Sequence, residues 1–168
     1  AAKAAGAIVV NNSWGPTSIY TGNEITTDEV QAYINNGQTL EQALQSASGW
    51  TNWDQFLNAS RSFGQTGIVV VAASNNQDGT FNYSPGASKS ELLSSLALLS
   101  PDLADAWLKV VSFHYDVGIN GQNENIVTNR YLASEACGDM AKECLSLPSQ
   151  YIVGPYSGGY PTISGTSF

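Results

Sequence analysis

The residue best suited to chemistry in this sequence is Ser167, in the run Gly165-Thr166-Ser167-Phe168. A serine hydroxyl is a poor nucleophile until a neighbouring base takes its proton, so Ser167 could act only beside a histidine and a carboxylate. Gly-Thr-Ser by itself is more often a turn or the N-cap of a helix. The tripeptide therefore needs support from other positions in the chain before it indicates catalysis.

Two polar clusters elsewhere in the chain each follow a short apolar run. Ser13-Trp14-Gly15 follows the run at 7–12, and Ser74-Asn75-Asn76 follows the run at 68–73. Such runs are typical of buried parallel strands. Because function gathers at the carboxyl ends of the strands in parallel sheets, we expect both clusters to lie at the same edge of one sheet.

These three segments, in this order, resemble the subtilisin-like serine peptidases (subtilases). The run that ends in Ser164-Gly165-Thr166-Ser167 is similar to the strand that delivers the family's nucleophile to the start of a helix. The run 69–75 is similar to a strand ending in Ala-Ala-Gly-Asn, with Ser74 in place of the usual glycine. The run 9–15 resembles the strand whose end pairs with an extended peptide substrate. The resemblance covers the whole chain as the C-terminal half of a peptidase domain, with 90–105 as an insertion.

The resemblance implies a role for each matching residue. Ser167 would attack the scissile carbonyl, and the side chain of Asn75 would donate a hydrogen bond to the oxyanion that forms. The remaining positions would contact substrate: Ser13, Trp14 and Gly15 in the cleft, and Ala72, Ala73 and Ser74 as one wall of the primary pocket. Taken singly, each match has a plainer alternative. The segment after 73 could be a polar turn, and Trp14 a core aromatic at a strand end.

The family's catalytic histidine and aspartate have no counterpart among these residues. His114, the one histidine, follows Asn75 in the chain instead of preceding it, and its neighbours do not match the family's motif, so we predict a structural or surface residue. The resemblance places both partners upstream of Ala1, and we expect this chain by itself to be catalytically inactive. No cofactor is expected to be required and no metal ligand set stands out, although a structural calcium ion stays open.

Cys137 and Cys144 are the only cysteines. The pair lacks the further Cys or His ligands that zinc needs, which favours a disulfide-closed loop over a metal site, with two buried thiols as the alternative. The segment 128–145 resembles the cysteine loop of subtilases carried by Gram-negative autotransporters. That resemblance implies an oxidising compartment, so the protein would be extracellular, periplasmic or outer-membrane-associated.

Composition excludes several classes of partner. The formal net charge is −8, and only 12 % of residues are charged. Without a basic stripe the chain cannot displace counterions from phosphate, which disfavours nucleic acids and anionic membrane surfaces. No apolar run is long enough to span a bilayer. A polypeptide is the substrate that the resemblance implies.

The apolar periodicity predicts an α/β fold, with a mostly parallel sheet and helices on both faces, in one domain over 1–168. Gly6 is expected to end a helical turn in a left-handed cap. We expect strands at 7–12, 68–73 and 107–113 and shorter ones around 126–127 and 151–153. The predicted helices are one capped by Asp28 with Val30, Tyr33 and Ile34 on one face, and others over 40–47, 53–64 and 90–100.

The chain is expected to be a fragment that opens inside one element and closes before another. Its partners would be the missing N-terminal half of the domain and, through exposed strand and helix faces, other copies of itself. A second hypothesis is a non-catalytic peptide-binding or assembly module on a subtilase-like fold. A third is an unrelated α/β domain in which all three matches are turns.

Overall fold

The computed structural model of the protein describes residues 3–73, 91–148, 152–153 and 162–163. Three α-helices, seven strands and four 3-10 helices are assigned in these ranges. The α-helices are α1 Thr27–Asn35, α2 Leu40–Ser48 and α3 Trp53–Gly64. The strands are β1 Val9–Asn12, β2 Ile68–Ala72, β3 Trp107–Ile119, β4 Asn125–Leu132, β5 Cys144–Pro148, β6 Ile152–Val153 and β7 Thr162–Ile163. The 3-10 helices are Lys3–Ala5, Leu96–Leu98, Pro101–Ala106 and Gly138–Glu143.

The main sheet has five strands and is mostly parallel, which confirms an α/β-like arrangement. β1 pairs with β2, β2 with β3, and β3 with β5, all in parallel. β2 and β5 both pair with the Lys109–Val110 part of β3, so they flank it on opposite sides. β4 returns antiparallel along the far half of β3 and makes the sheet mixed. β6 and β7 form a separate antiparallel pair.

The three α-helices all contribute side chains to one hydrophobic core. In α3 the buried side chains are Trp53, Leu57, Ser60 and Phe63, a spacing of three and four that puts one face of the helix inward. The sheet contributes alternate residues to the same core, namely Val69 and Val71 of β2 and Trp107 of β3. This alternation fixes which face of the sheet the helices cover.

Helix ends agree with the sequence except at the start of α1. We predicted Asp28 as its cap, and this is wrong. The hydroxyl of Thr26 accepts a hydrogen bond from the Glu29 backbone N–H at 3.3 Å, and the Glu29 carboxylate accepts from the Thr26 N–H at 2.8 Å. This reciprocal pair satisfies two backbone donors, which one Asp28 side chain cannot do. Gly6 adopts the expected positive φ of 77°, after a 3-10 turn.

The helix predicted over Ser90–Ser100 is wrong for its described part. Residues 92–95 form turns, followed by the 3-10 helix Leu96–Leu98. Contacts from outside the segment take its backbone groups: the Leu92 N–H donates to the Ile25 carbonyl at 2.9 Å, and the Trp107 indole donates to the Leu93 carbonyl at 3.1 Å. Leu92, Leu93 and Leu96 are buried as expected.

Two strands also differ from the prediction. β1 is parallel but not buried, because it is the terminal strand of the described sheet, and Val9 is 52 % exposed. β3 is longer than predicted, since it continues past Phe113 into a hairpin with β4. That hairpin closes on Asn120, whose side-chain oxygen accepts from the N–H groups of Gln122 and Glu124, both at 2.9 Å.

The structure confirms a disulfide between Cys137 and Cys144, so the alternative of two free thiols is wrong. The short loop that it closes carries Met140, which is 1 % exposed in the core. Cys144 opens β5 opposite Lys109 of β3. The bond therefore ties an edge strand of the sheet to the core.

Replacing both cysteines by alanine should lower the free energy of unfolding by roughly 2–3 kcal/mol, because the unfolded chain regains the entropy of the closed loop. Urea denaturation with and without reductant measures the loss. Reductant should destabilise the parent protein and leave the double variant unchanged. An equal effect of reductant on both proteins would contradict the prediction.

Candidate functional site

The ends of β1 and β2 lie side by side, as the topology predicts. Their parallel register runs from Val9 opposite Ile68 to Asn12 opposite Val71. Ser13, which follows β1, and Ala72, the last residue of β2, therefore lie at the same carboxyl edge of the sheet. Three of the predicted site residues, Ser74, Asn75 and Ser167, lie outside the described residues.

The predicted contact residues at this edge divide into an exposed and a buried set. Ser13, Trp14 and Gly15 are exposed. Ala72 and Ala73 are buried, and the Ala73 N–H donates to the Val110 carbonyl at 2.8 Å. The exposed segment after β1 is thus reachable by a ligand, while the alanines continue β2 alongside β3.

Three indole rings form a row beside this edge, which we call the tryptophan row: Trp14, Trp50 and Trp53. Trp14 and Trp50 have ring centroids 6.2 Å apart and planes inclined by 25°; for Trp50 and Trp53 the values are 6.1 Å and 23°. The indole N–H of Trp53 donates to the Ser48 hydroxyl at 2.7 Å, which anchors the row to α2. Trp14 is 50 % exposed, so it is not the core aromatic of the alternative interpretation.

The tryptophan row borders an open groove of about 460 Å³. Its lining residues are Trp14, Gly49, Trp50, Thr51, Asn52, Trp53 and Phe56. A second groove of about 280 Å³ lies between β1 and α3, with Trp14 and Lys3 among its lining residues. An apolar surface with a few polar groups at its rim is the usual composition of a binding site.

Behind the edge lies a buried charge cluster of Glu91, Glu135 and Lys109. The Lys109 ammonium is wholly buried and donates to the Glu135 carboxylate at 3.2 Å and to the Ser95 hydroxyl at 3.0 Å. The other oxygen of Glu135 accepts from the Glu91 backbone N–H at 2.8 Å. One ion pair thereby joins β3, the turn at 91–95 and the segment before the disulfide.

The carboxylate of Glu91 reaches back to the exposed edge. Its two oxygens accept from the N–H groups of Leu93 at 2.8 Å and Ser94 at 2.9 Å. A Cβ placed on Gly15 would lie only 2.6 Å from Glu91 Oε1. The φ of Gly15 is not in the left-handed region, so glycine is needed there for space and not for conformation.

Burial raises the pKa of Glu91 above its ordinary value of 4.5. The hydrogen bonds from the Ser94 and Leu93 N–H groups oppose this rise, and the nearby charge of Glu135 adds to it. Desolvation is the larger effect because folding removes the carboxylate from water. Among the described residues, no cation lies at hydrogen-bond distance from it. Glu91 is therefore a buried acid that accepts hydrogen bonds from the turn that follows it.

The remaining candidates lie away from this edge. His114 is in β3 and packs edge-on against Tyr131 of β4, with ring centroids 5.7 Å apart. Within the described ranges, no group of three or more His, Cys, Asp or Glu side chains is placed to hold a metal ion. Over the same ranges, every helix is too short or too polar to cross a membrane.

No family model matches the chain, and neither a curated protein nor a solved structure matches it. The functional interpretation accordingly depends on the residues and the geometry described above.

Sequence reasoning missed most of this site. For Trp53 and Phe56 the sequence predicts only a helix over 53–64, and no sequence pattern marks Trp50. No sequence pattern marks Glu91, Lys109 and Glu135 as a cluster, because they are separated by 18 and 26 residues and share no motif. The one local signal was a lysine inside an apolar strand, which needs a buried carboxylate to be tolerated.

Replacing Glu135 by glutamine should lower the free energy of unfolding by roughly 3–5 kcal/mol, because Lys109 is then left charged in the core without its anion. The double variant Lys109→Met with Glu135→Leu should recover most of that loss, since it removes both charges of the ion pair. Chemical denaturation of the parent and the two variants makes the comparison. A mild effect of the single variant would show that the pair is not isolated from water.

Glu91 should make stability depend on pH. The pKa of Glu91 is higher in the folded protein than in the unfolded chain, where it has its ordinary value of 4.5. The stabilisation that protonated Glu91 gives is therefore fully present below about pH 4.5, and it is lost as the pH rises through the pKa of the folded protein. The free energy of unfolding of the parent protein should thus fall relative to Glu91→Gln over that interval. Denaturation curves collected at several pH values give the difference, and Glu24→Gln, an exposed carboxylate, is the control. A constant difference would contradict the assignment to Glu91.

Proposed function

We propose that the chain is the C-terminal half of the catalytic domain of a subtilisin-like serine endopeptidase. Ser167 would be the nucleophile, and Asn75 together with the Ser167 backbone N–H would stabilise the oxyanion. Histidine and aspartate from polypeptide upstream of Ala1 would act as base and orienting acid. The isolated chain would then be inactive. The subtilisin-like fold, with helices on both faces of the sheet, is part of this proposal.

The observation that carries the proposal is the parallel adjacency of β1 and β2. It brings Ser13–Gly15 and Ala72–Ala73, two of the three segments that resemble the family, to one edge. An exposed strand end offers backbone groups to an extended peptide, and neighbouring pockets select its side chains. The groove along the tryptophan row lies where such a peptide would continue past Trp14, so it would accept an apolar side chain.

The exposed apolar residues near β1 support the proposed partners. Ile8 is 71 % exposed and Ile68 is 45 % exposed. Parallel sheets are normally covered on both faces, so these side chains would lie against the N-terminal half of the domain. The same surface would drive self-association of the isolated chain.

The disulfide supports the proposed location. Disulfides form and persist in oxidising compartments, which fits an extracellular, periplasmic or outer-membrane-associated peptidase of the autotransporter type. No cofactor enters the proposed reaction, because the nucleophile, base and oxyanion donors are all protein groups. A structural calcium ion would only add stability.

The alternative is a non-catalytic peptide-binding or assembly module. It is favoured by the tryptophan row, which provides a binding surface without needing any catalytic group. In that case Ser167 would have only a structural role, and peptide binding would survive its replacement.

A fluorophosphonate probe, which reacts with activated serines, distinguishes the two functions. The 168-residue chain is compared with a longer polypeptide that adds the aspartate and histidine segments before Ala1 and the helix after Phe168. We expect labelling in the longer form only, at Ser167 by peptide mapping, and none in Ser167→Ala. If the longer form is folded and unlabelled, the peptidase proposal is wrong and the binding module becomes the better interpretation.

A further inference from the structure

The groove along the tryptophan row has aromatic walls and an uncharged lining. Trp14 is 50 % exposed and Trp50 is 38 % exposed, so a ligand can reach both rings. Phe56 stands almost perpendicular to Trp53, at 89°, and adds a ring of a second orientation. None of the described residues that line the groove carries a charge. Because an unpaired charge is costly to bury against apolar rings, this lining favours an uncharged ligand.

The polar groups that are open in this groove include an excess of hydrogen-bond donors. The indole N–H of Trp53 is taken by Ser48, whereas those of Trp14 and Trp50 have no acceptor within the described ranges. Asn52 is the N-cap residue of α3, yet its side chain makes no capping hydrogen bond. An indole N–H can only donate, and the Asn52 amide adds two further N–H groups. The ligand that matches this lining supplies acceptors.

The length of the row suits a short extended peptide. Successive ring centroids are 6.2 Å and 6.1 Å apart, so the row spans at most about 12 Å. A polyproline II helix rises about 3.1 Å per residue, so about four of its residues cover the row.

We propose that the tryptophan row docks a proline-rich segment of a partner polypeptide in the polyproline II conformation. Proline exposes an uncharged apolar ring and a carbonyl acceptor, and it has no backbone N–H that would need an acceptor from the groove. Aromatic-lined grooves bind such segments because the conformation is formed before binding, which lowers the entropy lost. This inference goes beyond the proposed function, since it requires neither a nucleophilic Ser167 nor the upstream half of the domain.

A pair of fluorescein-labelled peptides tests the inference. One has an oligoproline core between glycine-serine flanks, and in the other alanine replaces every proline, which removes the rings and restores the backbone N–H groups. Binding to the 168-residue chain is measured by fluorescence anisotropy. We expect the proline peptide to bind at least about tenfold more tightly, because the alanine peptide loses both the ring contacts and the preformed conformation.

Aromatic variants place the peptide on the row. Trp14→Leu and Trp50→Leu should each weaken binding of the proline peptide roughly tenfold to thirtyfold, the effect of removing a central tryptophan from an interface. Tyr131→Leu is the matched control, because Tyr131 is a 45 % exposed aromatic residue on β4 and does not line the groove. Circular dichroism and an intact disulfide verify that each variant is folded.

A change at Asn52 tests the match of donors to acceptors. Asn52→Asp keeps the shape of the side chain and an equally good N-cap, but it replaces the amide donor by an acceptor. It should weaken binding of the proline peptide roughly threefold to tenfold, the range for one hydrogen bond. Asn58→Asp adds the same charge at an exposed position of α3 outside the groove lining, and it should leave binding unchanged.

The outcomes are separate from those of the proposed function. Equal binding of the two peptides, no binding of either, or binding that survives both tryptophan variants overturns the inference. A linear glucose oligosaccharide also stacks on indole rings, and if it binds in place of the proline peptide the row is a sugar site and the inference is wrong. Labelling of Ser167 by the fluorophosphonate probe does not depend on any of these results.

Discussion

The ion pair of Lys109 and Glu135 is the interaction on which the arrangement of the described residues depends. A lysine with no exposed surface is tolerated in β3 only because a carboxylate and a hydroxyl meet its ammonium group. Those partners come from Ser95, in the turn after Glu91, and from Glu135, just before the disulfide loop. Satisfying one buried charge therefore brings three distant segments together, and any of them that moved away would leave that charge unpaired.

The network around Lys109 extends to the carboxyl edge of the sheet. Glu135 also binds the backbone of Glu91, whose carboxylate lies against Gly15. The segment that follows β1 therefore contacts, through Gly15, the same hydrogen-bonded network that pairs the buried Lys109. The tryptophan row supports it from the side, through the contact of Trp14 with Trp50. A segment held on two sides keeps one geometry, and such preorganisation lowers the entropy that a binding surface loses when it is occupied.

Local patterns predicted most of the regular elements, and the errors have a common cause. α2, α3 and β2 follow from apolar periodicity, because each depends on contacts within a few residues. The segment 91–98 has the apolar spacing of an α-helix, yet it forms turns and one short 3-10 helix. Its backbone groups are taken by Ile25, Trp107 and Glu135, which no local window contains. The exposure of β1 was missed for a similar reason, since burial of a strand depends on its neighbours.

The sequence by itself determined the α/β class, the two parallel strand ends that meet at one edge, and the cysteine pair that closes a loop. Each follows from short-range geometry: side-chain periodicity, the shared polarity of parallel strands, and the absence of further metal ligands. Only the tertiary structure decided that Trp14 lies in a row with Trp50 and Trp53, and that Glu91 lies behind Gly15. The contact of Trp14 with Trp50 joins residues 36 positions apart, and that of Gly15 with Glu91 joins residues 76 positions apart. They exist because a buried charge and an apolar helix face each have to find partners, and the chain can supply those partners from any distance.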